Sequence, residues 1–460
     1  MDWGALIDAG ALLVRELALF AAAGFLILGA SDLLVDFIWI GLRLRRLLAD
    51  AEPRSLETLP PPERPGRLAV LIPAWHEAAV IGQMLNHACA AWATDDVRLY
   101  VGCYPNDQET IAAVDAVGDP RIRRVVGSRP GPTTKADCLN TLWHALLADE
   151  AEEAATYKGI VLHDAEDVVH SAELQLFDRL IERYDLVQLP VVPLIPNGRR
   201  GVSATYLDEF CESHGKEMVV REALGAGIPS AGVGCAISRE AMALLAATDV
   251  QGRPFDAASI TEDYEIGLKL HALGRRGAFV RIPAKAGGAP IVTCEHFPSH
   301  WRAAVAQKSR WMAGIALSGW DRLGWSGGPA EFWMRLRDRQ GPLAALLLCA
   351  AYVALLAGPI LASVGEAVGH PVVLLTPTLA LMMQVASLLL VWRLLMRFGF
   401  VATRHGWREG LRAIPRVVTS NAIAMLAARE ALGRYARGRR TGETVWGKTH
   451  HVFPDQVPAE

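Results

Sequence analysis

Asp164, Glu166 and Asp167 place three carboxylates within four residues, directly behind His163 at the end of an apolar run over residues 159–163. Their mutual repulsion calls for a cation, and a hard divalent ion with oxygen ligands, shared with a diphosphate, is the natural partner. The same acids would equally suit the start of a helix expected over residues 172–180. Glu262 and Asp263 form a second acidic pair at an apparent helix start. That pair either complements the helix dipole or supplies a carboxylate base for a hydroxyl nucleophile. Lys135 sits in a loop before a helix, in Gly131-Pro-Thr-Thr-Lys135, where a cation suits a phosphate. Asn106-Asp107 is either a helix cap or a nucleoside contact. Gln307, Arg310 and Trp311 recur at i, i+3 and i+4, so on a helix they share one face. An amide and a guanidinium there suit a pyrophosphate, and an indole stacks on a sugar ring; a membrane-anchoring helix would present the same residue types.

These groups need a frame to hold them. From residue 68 onward short apolar runs alternate with helical spacing: strands are expected over 68–73, 97–102, 122–126, 159–163, 186–190 and 231–237. Helices are expected over 77–92, 110–117 and 139–147, with a longer helical insert over 206–224. Strand–helix alternation implies an α/β fold with a doubly wound, mostly parallel sheet that presents ligands at the carboxyl ends of its strands. The Pro-rich, charged stretch over residues 52–67 reads as a linker.

On either side of this frame the sequence turns apolar. Mean hydropathy is +0.22, high for a wholly soluble chain. Residues 341–365 and 371–392 carry no charge and are joined by a short link over 366–370. Each is long enough to cross a hydrocarbon core of roughly 30 Å, so they form an antiparallel hairpin. Residues 17–42 are also apolar but contain Asp32 and Asp36, an expensive pair unless it faces other helices. Arg43, Arg45 and Arg46 follow at once and place the next segment in the cytoplasm. Residues 411–432 are amphipathic, interrupted by Pro415 and Arg416, and read as an interfacial helix before a basic tail. Three spans are expected, four if that segment also crosses. Net charge of −3 gives no basic field for nucleic acid. The seven cysteines are scattered without a Cys-x-x-Cys pair, which disfavours a disulfide scaffold or a zinc site.

In order along the chain, these features resemble the family 2 inverting glycosyltransferases. Pro73-Ala-Trp-His-Glu77 is similar to that family's opening element, Asp107 to its nucleoside-binding acid, and Lys135-Ala136 with Leu139-Asn140 to its lysine segment. Asp164-Ala-Glu166 takes the place of its metal-binding Asp-x-Asp, Gly232-Val-Gly234 of its acceptor-side strand, and Glu262-Asp263 of its catalytic pair. Gln307, Arg310 and Trp311 resemble the signature of its processive members. A closer likeness, to an inner-membrane branch of the family, is carried by Tyr104-Pro-Asn-Asp107, residues 131–140, 163–168, 229–234 and 260–264, Trp446-Gly-Lys-Thr-His450 and Phe453-Pro454.

The resemblance implies a GT-A-like sheet with transmembrane helices at both ends, divided into an N-terminal anchor (1–50), linker (51–67), cytoplasmic catalytic domain (68–320), membrane hairpin with an interfacial lead-in (321–400) and interfacial helix with basic tail (401–460). It implies transfer from a nucleotide-diphospho-sugar, UDP-linked in the first instance, to a surface polysaccharide at the inner membrane. Asp263, with Glu262 beside it, would act as base. Glu77, Asp107, Lys135, Asp164, Gln307 and Arg310 would bind donor, and Trp311, Gly232 and Gly234 would face the acceptor. Mg²⁺ or Mn²⁺ would sit on Asp164 with Glu166 or Asp167, since Glu166 replaces the family's second Asp. The bilayer, a glycan or lipid-linked acceptor and an envelope export partner are the expected partners. Branch members carry a further C-terminal regulatory domain; too few residues follow Pro454 for one, so cyclic di-GMP control would come through a partner. Two other readings remain open: single-sugar transfer to a polyprenyl phosphate, and a catalytically inert docking or scaffold protein.

Overall fold

The computed structural model describes residues 3–49, 54–93, 96–195, 201–325, 327–441 and 452–454. The Trp446 to His450 segment lies outside them. The central sheet has seven strands in the order β3-β2-β1-β4-β7-β5-β8: β1 Leu68–Pro73, β2 Val97–Cys103, β3 Ile122–Val126, β4 Gly159–Leu162, β5 Leu186–Gln188, β7 Cys235–Ser238 and β8 Gly277–Phe279. All neighbours pair in parallel except β7, which runs antiparallel between β4 and β5. A separate two-stranded parallel ribbon joins β6 Val191–Leu194 to β9 Thr293–His296.

The period of two along the strands builds a core on each face of the sheet. Leu68, Val70 and Ile72 of β1 join one buried cluster, while Ala69 and Leu71 join the other. β2 divides likewise, Leu99 and Val101 to the first cluster and Tyr100 to the second. The expected doubly wound sheet is therefore present, and each expected strand overlaps one in the structure. One bound changes for a physical reason: the strand expected over 231–237 begins only at Cys235. Gly232 and Gly234 take φ of +79° and +56°, and two left-handed residues cannot hold a ladder. β6, β8 and β9 were not expected; three or four residues show no readable alternation.

Among the described residues, three helices are long and apolar enough to cross a membrane: Trp3–Leu48, Gly341–Ala367 and Pro377–His405. The first extends well beyond both ends of the expected span over 17–42. The link of the hairpin covers 368–376 rather than 366–370, because the second helix starts only where Thr376 caps Leu379 N and Pro377 takes the first helical position. The amphipathic segment is one helix, Trp407–Thr441, uninterrupted at Pro415. Arg416, expected to break it, instead fixes it to the α/β domain: its Nε and Nη2 donate to Asp208 at 2.8 and 2.6 Å.

Asp32 and Asp36, the two acids within the expected first span, do face partners. Asp36 accepts from Lys216 Nζ at 2.5 Å and from Trp392 Nε1 at 2.8 Å, and Asp32 pairs with Arg337 at 3.0 Å and with Arg393. Lys216 also donates to Glu212 at 3.0 Å, and Arg397 lies 3.3 Å from the same carboxylate. Lys216 lies in Ser213–Glu217, a π-helical turn, whose Gly215 carbonyl accepts from Trp39 Nε1 at 3.1 Å. A Cβ on Gly215 would stand 2.6 Å from Phe400, so this close approach requires glycine. Thus the helices dock on the α/β domain through buried charge as well as packing. Lys216→Met should leave Asp36 and Glu212 without that cation at a cost of about 3–5 kcal/mol, and Lys216→Met with Asp36→Leu should recover part of it. Thermal unfolding of the full chain in detergent measures both; a double variant no more stable than the single one would refute the pairing.

Candidate active site

The loop after β4 carries His163 to Asp167, and the structure separates its acids. His163 is fully buried between two carboxylates, Nδ1 2.7 Å from Asp167 and Nε2 2.7 Å from Glu173. Burial alone would lower the imidazole, but Glu173 and Asp167 outweigh it and push His163 up to about 10. Asp167 also accepts from Asp164 N at 3.1 Å and does not line the cavity. It shapes the loop from behind. Asp164 and Glu166 point the other way, into a cavity of about 330 Å³, and of the two residues considered for the second metal position only Glu166 reaches it.

Lys135 enters that cavity from the first turn of helix Lys135–Glu153, which Thr134 and Asp137 cap reciprocally. Its Nζ lies 2.5 Å from Asp164 Oδ1. Burial would lower this lysine, yet Asp164, Glu262 and Asp263 together raise it, so it stays charged. Glu262 and Asp263 open helix Glu262–Ala272 opposite, with Asp263 Oδ1 accepting from Tyr264 N at 2.7 Å. Burial, then Asp263, pushes Glu262 up to about 8. Burial raises Asp263 too, while Lys135 and Arg310 pull it down. Both carboxyls therefore sit above the ordinary carboxylate range, with Lys135 favouring the charged form of each and Arg310 that of Asp263.

Helix Trp301–Met312 supplies Gln307, Arg310 and Trp311 to the same cavity. Gln307 Oε1 is buried with no hydrogen-bond partner among the described residues, an acceptor that a ligand hydroxyl or amide would satisfy. Burial lowers Arg310, with Glu262, Asp263 and Asp164 opposing it. Trp311 stands edge-on to Tyr206 at 6.0 Å, in a cluster with Phe297 and Phe210 that walls one end. A flat ring could lie against this wall.

Nine expected residues thus line one cavity: Glu77, Lys135, Asp164, Glu166, Glu262, Asp263, Gln307, Arg310 and Trp311. Others stand behind it. Asp107 is buried as the cap of helix Gln108–Asp115, accepting from Thr110 N at 3.3 Å and from His76 N at 2.6 Å. Gly232 backs onto Asp263: a Cβ there would fall 2.4 Å from Oδ2, at a φ of +79°. Gly234 faces Thr293, not the cavity, where a Cβ would meet Oγ1 at 2.1 Å. Beside Glu77, Trp75 packs edge-on to Tyr104 at 4.9 Å and against Gly131, and Asn106 holds Gly131 by two hydrogen bonds of 2.7 and 2.9 Å. Three loops expected to touch the donor therefore meet around one indole.

Sequence reasoning missed Glu295 and Gln188. Glu295, from β9, lines the cavity, and burial with Asp167, Glu166 and Asp164 raises it well above the ordinary carboxylate range. No pattern marks a four-residue ribbon strand, so nothing distinguished it. Gln188 lies buried in β5, accepting from Ala231 N and donating to Val233 O at 2.8 and 2.9 Å, and so sets the loop that carries Gly232. Its signal was a lone amide inside an apolar strand.

Asp164, Glu166 and Glu295 offer oxygen donors only, and with Glu262 and Asp263 the acids outnumber the cations Lys135 and Arg310. That excess suits a hard divalent ion. Among the described residues no three acids, histidines or cysteines already converge at metal-ligand spacing. Lys135 occupies one oxygen of Asp164 and would have to yield it.

Residues 65–314 match the family described as "Glycosyltransferase like family 2". Two curated relatives, "Bacteriophage adsorption protein B" of Escherichia coli (strain K12) and "Bacteriophage N4 adsorption protein B" of Escherichia coli O157:H7, are each 35% identical over 99% of this chain. The chain spans 64% of the length of those relatives. Among solved structures, a mannosyltransferase of Pyrobaculum calidifontis, in complex with GDP-Man and Mn²⁺, shares the fold at a TM-score of 0.51 and 19% identity, over 91% of this chain and 99% of that one. Gly232→Ala should abolish activity by displacing Asp263 while the melting midpoint moves by only a few degrees; wild-type activity in that variant would show that the close approach is dispensable.

Proposed function

This chain belongs to the glycosyltransferase-like family 2, and from that premise we propose that it moves a sugar, with inversion, from a nucleotide-diphospho-sugar to a hydroxyl of a growing surface glycan. The observation that carries this reading is the single cavity in which the Glu262–Asp263 pair faces Lys135, Arg310 and Gln307. A single displacement needs a base on the acceptor side and stabilisation of charge on the leaving diphosphate. Asp263 is the base. Lys135 and Arg310 favour its charged form against the burial that raises it, and Glu262 stands beside it in the same helix turn. Arg310 and Lys135 receive the diphosphate, Gln307 adds a hydrogen bond, and Trp311 with its aromatic neighbours lies against the acceptor sugar. Once the diphosphate draws Lys135 from Asp164, that carboxylate is released to the donor side.

Mg²⁺ or Mn²⁺ would be held by Asp164 and Glu166, with Glu295 near, and supplies charge neutralisation of the diphosphate when bound. Glu77 and the Trp75–Tyr104 loops flank the donor, with Asp107 acting through the backbone of His76. UDP-linked sugars are the first donors to test.

The arginines that follow residue 42, with Arg393, Arg397 and Arg404, support a cytoplasmic α/β domain over residues 68–320, an anchor over 1–50, and a hairpin over 321–400. A product destined for the envelope surface fits relatives named for phage adsorption. Asp263→Asn should lower turnover at least about a thousandfold and leave donor affinity within a few-fold of wild type. Release of free nucleotide diphosphate from a panel of nucleotide sugars, with isothermal titration for affinity, measures both; near-normal turnover would remove Asp263 as base. Chelation by EDTA should weaken donor binding, with Mn²⁺ restoring it, and unchanged affinity would refute the metal assignment.

A further inference from the structure

A second and larger cavity, of about 820 Å³, lies between the α/β domain and two of the apolar helices. Its volume is in the range of small-ligand sites. Its lining divides by chemistry. Leu395, Met396 and Phe400 of helix Pro377–His405, with Val192, Leu194 and Val292, form an apolar wall. Arg43, Arg281 and Arg404 form the other part, and among the described residues no carboxylate lines the cavity. Among the described residues none of these three guanidinium groups has an ion-pair partner, in a chain where Arg337, Arg393, Arg397 and Arg416 close by are all paired.

The site is built rather than incidental. Arginines at the ends of membrane helices commonly reach toward lipid phosphates, which would account for Arg43 and Arg404. Arg281 is different: it belongs to the α/β domain, two residues beyond β8, and its Nη1 donates to the Gly215 carbonyl at 2.9 Å. The same carbonyl, in the π-helical turn, accepts from Trp39 Nε1 at 3.1 Å. Burial and the like charges of Arg404, Arg43 and Arg46 lower Arg281, so an anion is the missing neighbour. Arg43 also lies over the Trp39 ring at 5.6 Å, which holds it at the cavity mouth.

We propose that this cavity binds a membrane lipid whose phosphate head carries net negative charge, its phosphate on Arg43, Arg281 and Arg404 and its tail along Leu395, Met396 and Phe400. The site goes beyond sugar transfer, and it shares a wall with the cavity where transfer is placed. Val168 and Cys294 exchange backbone hydrogen bonds of 2.8 and 3.0 Å and face the lipid site, while Glu166 and Glu295, on the same two segments, face the sugar-transfer cavity. Alternation along an extended chain puts Cys294 and Glu295 on opposite sides. An occupant of the second cavity therefore presses on the backbone that carries two acids of the first.

The test uses the full chain purified in a neutral detergent, without sugar donor, so its outcome does not depend on catalysis. Dioleoylphosphatidylglycerol, farnesyl phosphate, dioleoylphosphatidylcholine and inorganic phosphate are added separately, and retention is read by native mass spectrometry. Retention of phosphatidylglycerol or farnesyl phosphate, and of neither phosphatidylcholine nor inorganic phosphate, is expected; the two retained arms distinguish a glycerolipid from a prenyl phosphate. Arg281→Ala and Arg404→Ala should each weaken that retention about tenfold, with Arg281→Lys retaining most of it. Independently of any variant, the retained lipid should raise the wild-type melting midpoint and phosphatidylcholine should not. Equal retention and equal shifts for the charged lipids and phosphatidylcholine, retention of inorganic phosphate alone, or unchanged retention in folded Arg281→Ala and Arg404→Ala would overturn the assignment.

Discussion

Asp36 sits on a helix apolar enough to cross a membrane, and the Lys216 ammonium 2.5 Å from its carboxylate makes that position tolerable. An isolated charge there would be costly, whereas a paired and hydrogen-bonded one is not. Lys216 comes from the α/β domain and also holds Glu212, which in turn meets Arg397 of the hairpin's second helix. One buried chain of alternating charge therefore ties the first helix, the hairpin and the α/β domain together. It passes through the π-helical turn at Ser213–Glu217, which carries Lys216 and the Gly215 carbonyl that accepts from Trp39 and Arg281. His214, in the same turn, lines the acidic cavity. Docking and site geometry thus meet within five residues.

Charge balance organises the cavity in turn. Seven acidic side chains, Asp164, Glu166, Glu262, Asp263 and Glu295 with Glu77 and Glu209, line a small volume whose cations among the described residues are Lys135 and Arg310. Such crowding is unfavourable unless protons, cations or ligands compensate it. Here Glu262 and Glu295 are raised, Lys135 is held charged, and Asp164 is bridged to it. A charged ligand entering this set would exchange partners with groups already paired or protonated. His163 shows the same economy one layer back: its two carboxylates neutralise it and stiffen the loop that aims Asp164 and Glu166.

Much of this was legible beforehand. Strands β1 to β5 announced themselves as short apolar runs between turn residues, and the hairpin by its absence of charge over more than twenty residues. Lys135, Asp164, Glu262, Asp263, Gln307, Arg310 and Trp311 were legible as chemically distinct residues at strand ends and helix starts, and their order resembled one family. Asp167 was chemically indistinguishable from Glu166; only its hydrogen bond to His163 assigns it to the far side of the loop. Glu295 carried no pattern because its strand is too short for alternation to show, whereas Gln188 stood out only as a lone amide in an apolar run.

The amino-acid sequence alone determined the layering of apolar and polar residues, the places where strands could form, and the membership of the chain in its family, because these depend on local periodicity and residue type. The tertiary structure alone decided which acids share a cavity, which are spent on a buried imidazole or a helix cap, and that Asp32 and Asp36 find cations from distant segments. The same is true of the three arginines around the second cavity, drawn from the first helix, the end of the hairpin and the loop beyond β8. Such convergence depends on how segments far apart in the chain cross in space, and neither spacing nor composition encodes that locally.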